Sequence, residues 1–352
     1  MSIALPGSAY DEDHEAFRES ARKFLDVHVV PHLDEWRSTG AVDREVTRAA
    51  GDQGFLGTQV PEEYGGGGVD DPRFTAVLVE EAMAIGASGF ALLLALHSGV
   101  CVSALMRLPD SEQKSRWLSG VASGELLAVP VVLGPSLAAF GVPGAAIADL
   151  FVVATPSDGG GLQVDVVPRS DLEIAPPSVS LGGRDAAVAG VRVDQRVLAA
   201  ARGFADPDQL IRRDIDVWSA VLAVAGAQAG LDLTVGYAAE RKVFGRPLTT
   251  FENTRFRLSE VAAEIAAARA LTESCMTGLA DGSLVAATAA AARVTSGAAH
   301  DRAVDQGMQL HGGYGYMREY PIAHAFADAR FLRLAAAATS DPLAVLAEEL
   351  GL

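Results

Sequence analysis

Three long stretches with no internal proline, Gln209–Arg241, Phe251–Gly278 and Leu284–Leu310, limit what this chain can fold into more than any other feature. They are built from Ala, Leu, Glu and Arg, which lose little side-chain freedom in a helix, whereas an internal proline would break one. The connections between them are short, so successive helices must run antiparallel and bury their apolar stripes on one another. Residues 206–352 therefore read as a C-terminal four-helix bundle, closed by a short helix at Asp341–Leu350 with Pro342 in its first turn and Thr339 or Ser340 as its cap.

The rest of the chain has a different grammar. Residues 1–125 form an N-terminal helical block. Asp13–Val30 places Phe17, Ala21, Phe24, Leu25 and Val29 near a 3.6-residue period, Asp43–Gln53 and Phe74–Ile85 follow, and the glycine-rich loop GTQVPEEYGGGGVDD lies between those two. Ser88–Leu108 reads as a buried apolar helix, and Asp110 or Ser111 caps the next. Residues 126–205 carry short β-type runs, LLAVPVVL, LFVVAT, LQVDVV and AAVAGVRV, parted by SDGGG and SLGGR. That pattern is a small β-domain, a barrel or sandwich. The fold class is thus mostly α with a central β-domain.

Composition narrows the function classes. A net charge of −17 repels nucleic acid and anionic membrane surfaces. Cys101 and Cys275 stand apart from each other and from any histidine cluster, which argues against a metal site or a disulfide framework and for a reducing cytoplasm. The first residues lack the basic and apolar regions of a signal peptide. The longest apolar run, Gly89–Leu96, is interrupted by His97 and Ser98 and is too short to span a bilayer. His97, His311 and His324 stand alone and read as structural.

Four segments in order carry a family resemblance: SEQKSRWLSGVASGE, AAERKVFGRPLTTFENTRFRLSEV, QLHGGYGYMREYPIAHAFADAR and the Thr339–Ser340–Asp341 triplet. Together they resemble the acyl-CoA dehydrogenase family over nearly the whole chain, with its R-x-x-F-G segment and its Q-x-x-G-G-x-G-Y-x-x-E-Y-P signature. The resemblance implies FAD as cofactor, an acyl-CoA thioester as substrate and an electron-transfer acceptor as partner. It implies a carboxylate base that takes the α-proton while the β-hydride passes to the flavin, the cofactor supplying the redox chemistry.

This chain departs from the family where that chemistry would happen. The usual position of the base, two residues before the Thr–Ser pair, is Ala337, and the alternative position on the first long bundle helix is Ile215; neither side chain accepts a proton. Asp214 and Asp216 flank Ile215, but neighbouring helical positions point about 100° apart. The β-domain runs VPVVLGPSLAAFGVPGAAIADLFVVA without the family's T-E-P…G-S-D loop or its F-I-T-N-G-like strand, and is shorter by two strands. Glu252 stands for the family's Gln after the R-x-x-F-G segment, and Ala327 for the Arg before the D-A pair.

What survives are the motifs that, in the family, reach across a subunit interface to the FAD of a neighbour: Arg241, Phe244, Gln309, Gly312 and Gly313. A guanidinium suits pyrophosphate oxygens, an aromatic ring an adenine face, and paired glycines a close backbone approach to phosphate. The resemblance therefore implies a non-catalytic subunit of a heteromeric α2β2 dehydrogenase, of the kind used in actinobacterial steroid side-chain breakdown, with FAD shared across the interface and a sister subunit supplying base and flavin wall. The alternatives are a self-sufficient homo-oligomer with Asp214 or Asp216 as base, and a scaffold of the same fold without redox work.

Overall fold

The computed structural model describes Ile3, residues 9–201 and residues 203–352. The N-terminal block holds α1 (Glu12–His28), α2 (Leu33–Thr39), α3 (Arg44–Asp52), α4 (Arg73–Ala84), α5 (Ser88–Leu94), α6 (Val102–Met106) and α7 (Ser111–Ala122). The β-domain holds β1 (Ala128–Val132), β2 (Ala138–Val142), β3 (Leu150–Pro156), β4 (Leu162–Pro168), β5 (Leu172–Ile174), β6 (Ala189–Val193), α8 (Gln195–Ala200) and β7 (Phe204–Asp206). The last block holds α9 (Leu210–Glu240), the hairpin β8 (Lys242–Val243) and β9 (Arg246–Pro247), α10 (Glu252–Ala280), α11 (Ala286–His311), α12 (Pro321–Ala337) and α13 (Pro342–Glu349). Part of the acidic composition goes into helix starts: Asp11, Asp43, Asp110, Asp194 and Asp341 each accept backbone N–H groups that the first turn leaves unpaired.

The long apolar helix continues past His97. A π-helical turn over Ala95–Cys101 joins α5 to α6, so Ser88–Met106 is long and apolar enough to cross a membrane by length and composition, contrary to the expectation from sequence. It is instead a core helix, 83% buried in the fold. The two polar residues do not interrupt it because both are satisfied inside. The Ser98 hydroxyl donates to the Leu56 carbonyl, while His97 receives the Ala128 N–H on Nδ1 and contacts the Val121 carbonyl through Nε2, both at 3.0 Å. Burial holds the His97 imidazole down at about 4, so it stays neutral and ties α7 to β1. Gly99, in the same turn, leaves room for the indole of Trp218 on α9.

Among the described residues, the β-domain closes into no barrel. Its strands form a four-stranded sheet in the order β1-β3-β4-β7 and a three-stranded sheet in the order β2-β6-β5. β1 pairs in parallel with β3 and stays an edge strand, where Pro130 lacks the N–H a further neighbour would need. Three strands, β2, β5 and β7, are too short or too mixed in pattern to stand out in the sequence.

One hydrophobic core runs from α1 through both sheets into the first half of α9, with Phe24, Phe90, Val129, Phe151 and Trp218 all buried. A smaller core lies between α9, α10 and α11 around Leu231, Val261 and Ile265. Helices α9 to α12 form the bundle, α9 packing against the other three. The three blocks meet at Asp328 on α12, whose carboxylate accepts from Ser88 Oγ at 2.6 Å and from Gly183 N–H at 2.7 Å. A Cβ at Gly182 would stand 2.0 Å from the Ala327 carbonyl, so only glycine allows that loop its seat on α12.

Candidate functional site

A cavity of about 520 Å³ opens between the β-domain and the bundle. Leu92 and Leu96 form one wall, Val131 and Phe140 a second, and α9, α11 and the Ala335–Ala338 end of α12 the rest. Ile215 and Ala337 both line it, so the two positions that the resemblance assigns to a base converge on one space from different helices, and both are apolar.

The flanking carboxylates are committed elsewhere. Asp214 is fully buried; its side chain accepts from Ser103 Oγ at 2.9 Å and from Arg213 at 2.7 Å. Asp216, 2% exposed, accepts from Arg293 Nη1 at 2.6 Å and from Ser340 Oγ at 2.5 Å, and that same Arg293 nitrogen lies 2.5 Å from Ser340 Oγ. Neither aspartate lines the cavity. A buried pair of this kind is held by mutual compensation, since either charge alone in a dry site would cost several kcal/mol. Ser340 is therefore part of a triad rather than a helix cap, and the cap of α13 is Asp341, accepting from the N–H groups of Leu343 and Ala344. Thr339 bonds back to the Ala336 carbonyl. Asp341 is the carboxylate that does reach the cavity rim, and capping occupies it.

Sequence reasoning missed the polar groups of this cavity. Arg293, Gly297 and His300 lie on one stripe of α11 at helical spacing, all three lining it, and that i, i+4, i+7 pattern in an alanine-rich helix was the available signal. His300 is 3% exposed, and burial holds it down at about 4, so it is neutral. Its ring lies against α9 at Gly226, where an added Cβ would stand 2.5 Å from Nε2.

The other candidates lie together at one end of the bundle, away from the cavity lining. Arg241, Phe244, Gln309, Gly312 and Gly313 are all exposed. The β8–β9 hairpin turns on Phe244 and Gly245, both at positive φ, and this turn holds the Phe244 ring outward at 92% exposure, which excludes a core role. Gly312 ends α11 at φ +59, a conformation that favours glycine. The guanidinium of Arg241 sits 5.6 Å from the Tyr314 ring, and Tyr237 stacks on His311 at 3.9 Å, so the R-x-x-F-G segment and the Q-x-x-G-G turn form one surface. His311 and His324 bond backbone carbonyls, in line with structural roles.

These two regions suit different chemistry. The β-domain side of the cavity, Pro130 to Val132 and Ala139 to Pro143, presents no hydroxyl, amide or charged side chain. The nitrogen and oxygen edge of a flavin ring placed there would find no side-chain partner from that wall, and any hydrogen bond from it would have to come from backbone groups. The exposed surface, with a cation and a glycine-rich turn, is chemically suited to a pyrophosphate.

Comparisons with known proteins agree with the fold. The family model "Acyl-CoA dehydrogenase, N-terminal domain" matches residues 11–125, and "Acyl-CoA dehydrogenase, C-terminal domain" matches residues 217–339. The probable acyl-CoA dehydrogenase YngJ of Bacillus subtilis is 26% identical, over 96% of this chain and 98% of that protein. A putative acyl-CoA dehydrogenase from Mycobacterium smegmatis superposes with a TM-score of 0.88 at 26% identity, covering 97% of this chain and 98% of its own. A glutaryl-CoA dehydrogenase from the same organism, solved in complex with FADH2, shares the fold at a TM-score of 0.84 and 17% identity, over 97% of this chain and 95% of its own. With both terminal blocks matched and the three-block architecture shared, this chain belongs to the acyl-CoA dehydrogenase family of FAD-dependent oxidoreductases.

Proposed function

We propose that this chain is the non-catalytic subunit of a heteromeric acyl-CoA dehydrogenase, in which a sister subunit supplies the carboxylate base and the flavin-ring wall. The observation that carries the reading is the pairing of Ile215 and Ala337 in one cavity, with Asp214 and Asp216 held in ion pairs and Asp341, at the rim, capping α13. In this reading Arg241, Gln309, Gly312 and Gly313 hold the pyrophosphate of an FAD seated in the sister, and Phe244 packs on its adenine. FAD, when bound, supplies the hydride acceptor. This chain's residues bind and orient its far end, and the apolar β-domain keeps water from the junction.

The acyl group is a bulky one, such as a steroid side chain, held mainly by the sister, and electrons leave to an electron-transfer flavoprotein. The test is co-expression with a homologous dehydrogenase from the same genome. The co-purified complex should be yellow and should oxidise acyl-CoA. Arg241→Gln should lower its flavin content while the two chains still co-purify. A yellow, active preparation of this chain alone refutes the reading.

A further inference from the structure

Where the three blocks meet, two carboxylates face the start of one core helix. Asp185, 2% exposed, follows the Gly182–Gly183 turn of the β5–β6 connection, and Asp328 lies on α12. Both reach the first turn of the helix that begins at Ser88. The Gly89 N–H donates to Asp185 Oδ2 at 3.0 Å, and the Ser88 hydroxyl to Asp328 Oδ2 at 2.6 Å. A Cβ at Gly89 would stand 2.4 Å from the Asp185 carboxyl carbon, so the acid is packed directly onto that turn. We propose that Asp185 and Asp328 form a proton-operated latch: a proton kept on the pair holds loop 182–187 of the β-domain on the helical blocks, and its loss loosens that loop.

The loop is placed to pass such a change on. It touches α12 through the Gly183 N–H on Asp328 Oδ1, and the link after α2 through Val42 N–H to the Asp185 carbonyl and Ala187 N–H to the Gly40 carbonyl, both at 3.0 Å. On its other side the Gly144 N–H donates to the Ala186 carbonyl at 2.8 Å and the Ala146 N–H to the Ala187 carbonyl at 2.9 Å. Gly141, Val142 and Pro143, just before those donors, edge the cavity. The latch therefore bears on how firmly the β-domain closes there.

The surroundings supply no counter-ion. The charged and titratable groups facing the pair are Arg37 on α2, Arg184 in the loop and His324 on α12; α5 brings only Ser88 and Gly89. Arg37 donates to the Gly86 carbonyl at 2.7 Å and lies beside exposed Asp34, and Arg184 donates to the Arg37 carbonyl at 3.2 Å. Burial, with Arg37 beside it, holds His324 below its ordinary 6.5, and the ring contacts the Arg318 carbonyl. A helix start favours one negative charge, but two in a dry site repel, so one acid retains its proton. Burial, then the neighbouring Asp328 carboxylate, raises Asp185 to about 6 from an ordinary 3.8. The closed latch is thus favoured at low pH and weakens as pH rises through 6.

The test is hydrogen exchange on the full chain, read by mass spectrometry over residues 182–187 and corrected for the intrinsic pH dependence of exchange. For a local opening that exposes Asp185, a group at about 6 when closed and 3.8 when open lowers protection about tenfold between pH 5 and pH 8. Asp185→Asn should abolish that fall, Asp328→Asn should move it to lower pH, and His324→Gln should leave it in place. Peptides from α10 should show no matching change. Protection that is constant with pH in the parent, an equal fall in Asp185→Asn, an unmoved fall in Asp328→Asn, its loss in His324→Gln, or an equal fall across α10 each overturns the proposal.

Discussion

Replacing Asp216 with alanine tests whether this residue is a structural counter-ion or an available base. The carboxylate is 2% exposed and is held by Arg293 and Ser340. Its removal strands the Arg293 guanidinium, whose side chain is 10% exposed. Breaking one partner out of a buried pair costs about 3–5 kcal/mol, because the remaining charge keeps its desolvation penalty. Arg293→Met should cost a similar amount by stranding Asp216. The double replacement leaves no charge behind, only the Ser340 hydroxyl, whose lost partner is worth about 1–2 kcal/mol. The cycle should therefore close with the double variant more stable than either single one. The assay is urea unfolding at neutral pH followed by fluorescence, which reports on this region because Trp218 lies two residues along α9 and is buried. A cost below about 1 kcal/mol for Asp216→Ala, or strict additivity in the cycle, would refute the triad as an energetic unit.

Other outcomes follow from particular contacts. Gly99→Ala would set a Cβ 2.2 Å from the Trp218 ring inside the π-helical turn, and overpacking of that kind should lower stability by about 3 kcal/mol in the same assay. Burial, with the Asp328 carboxylate beside it, pushes Asp185 up to about 6 from an ordinary 3.8. Its native state therefore favours the protonated form, and the stability this contributes is complete below about pH 4 and lost as pH rises through 6; Asp185→Asn should recover about 2–3 kcal/mol at pH 7 and nothing at pH 4. His97 and His300 act in the opposite sense: burial sets both near 4 against an ordinary 6.5, so their contribution is complete above pH 6.5 and lost as pH falls toward 4. Ala337→Glu places a carboxylate in the cavity, yet this chain alone should still reduce no dye with acyl-CoA, because the β-domain wall offers the flavin ring no polar side chain; measurable turnover would show that wall to be sufficient.

The bundle was legible because its signal is long and redundant: dozens of proline-free residues rich in Ala, Leu, Glu and Arg favour helix, and the helices end within a few residues of their expected limits. The absence of a barrel was not legible. Strand runs in a sequence do not say which edges meet, and Pro130 gains meaning only once β1 is seen at an edge. The buried helix through His97 was legible as Ser88–Leu108, but not how His97 and Ser98 are satisfied inside it, because their partners Val121, Ala128 and Leu56 lie far along the chain. Ile215 and Ala337 line one cavity, and the Arg241 guanidinium lies near the Tyr314 ring. Asp328, from the same signature, turned out to clamp three blocks together. The triad and His300 went unseen because their partners are 47 to 124 residues away or, for His300, lie in a cavity that exists only after folding.

The most direct test of the division of labour is the flavin content of this chain after it is expressed alone, unfolded in part, refolded with excess FAD and passed through a desalting column. The account predicts a colourless protein, with a flavin absorbance appearing only when the sister subunit is present, in a ratio of one FAD to each pair of unlike chains. A stoichiometric, tightly held flavin on this chain by itself would contradict it.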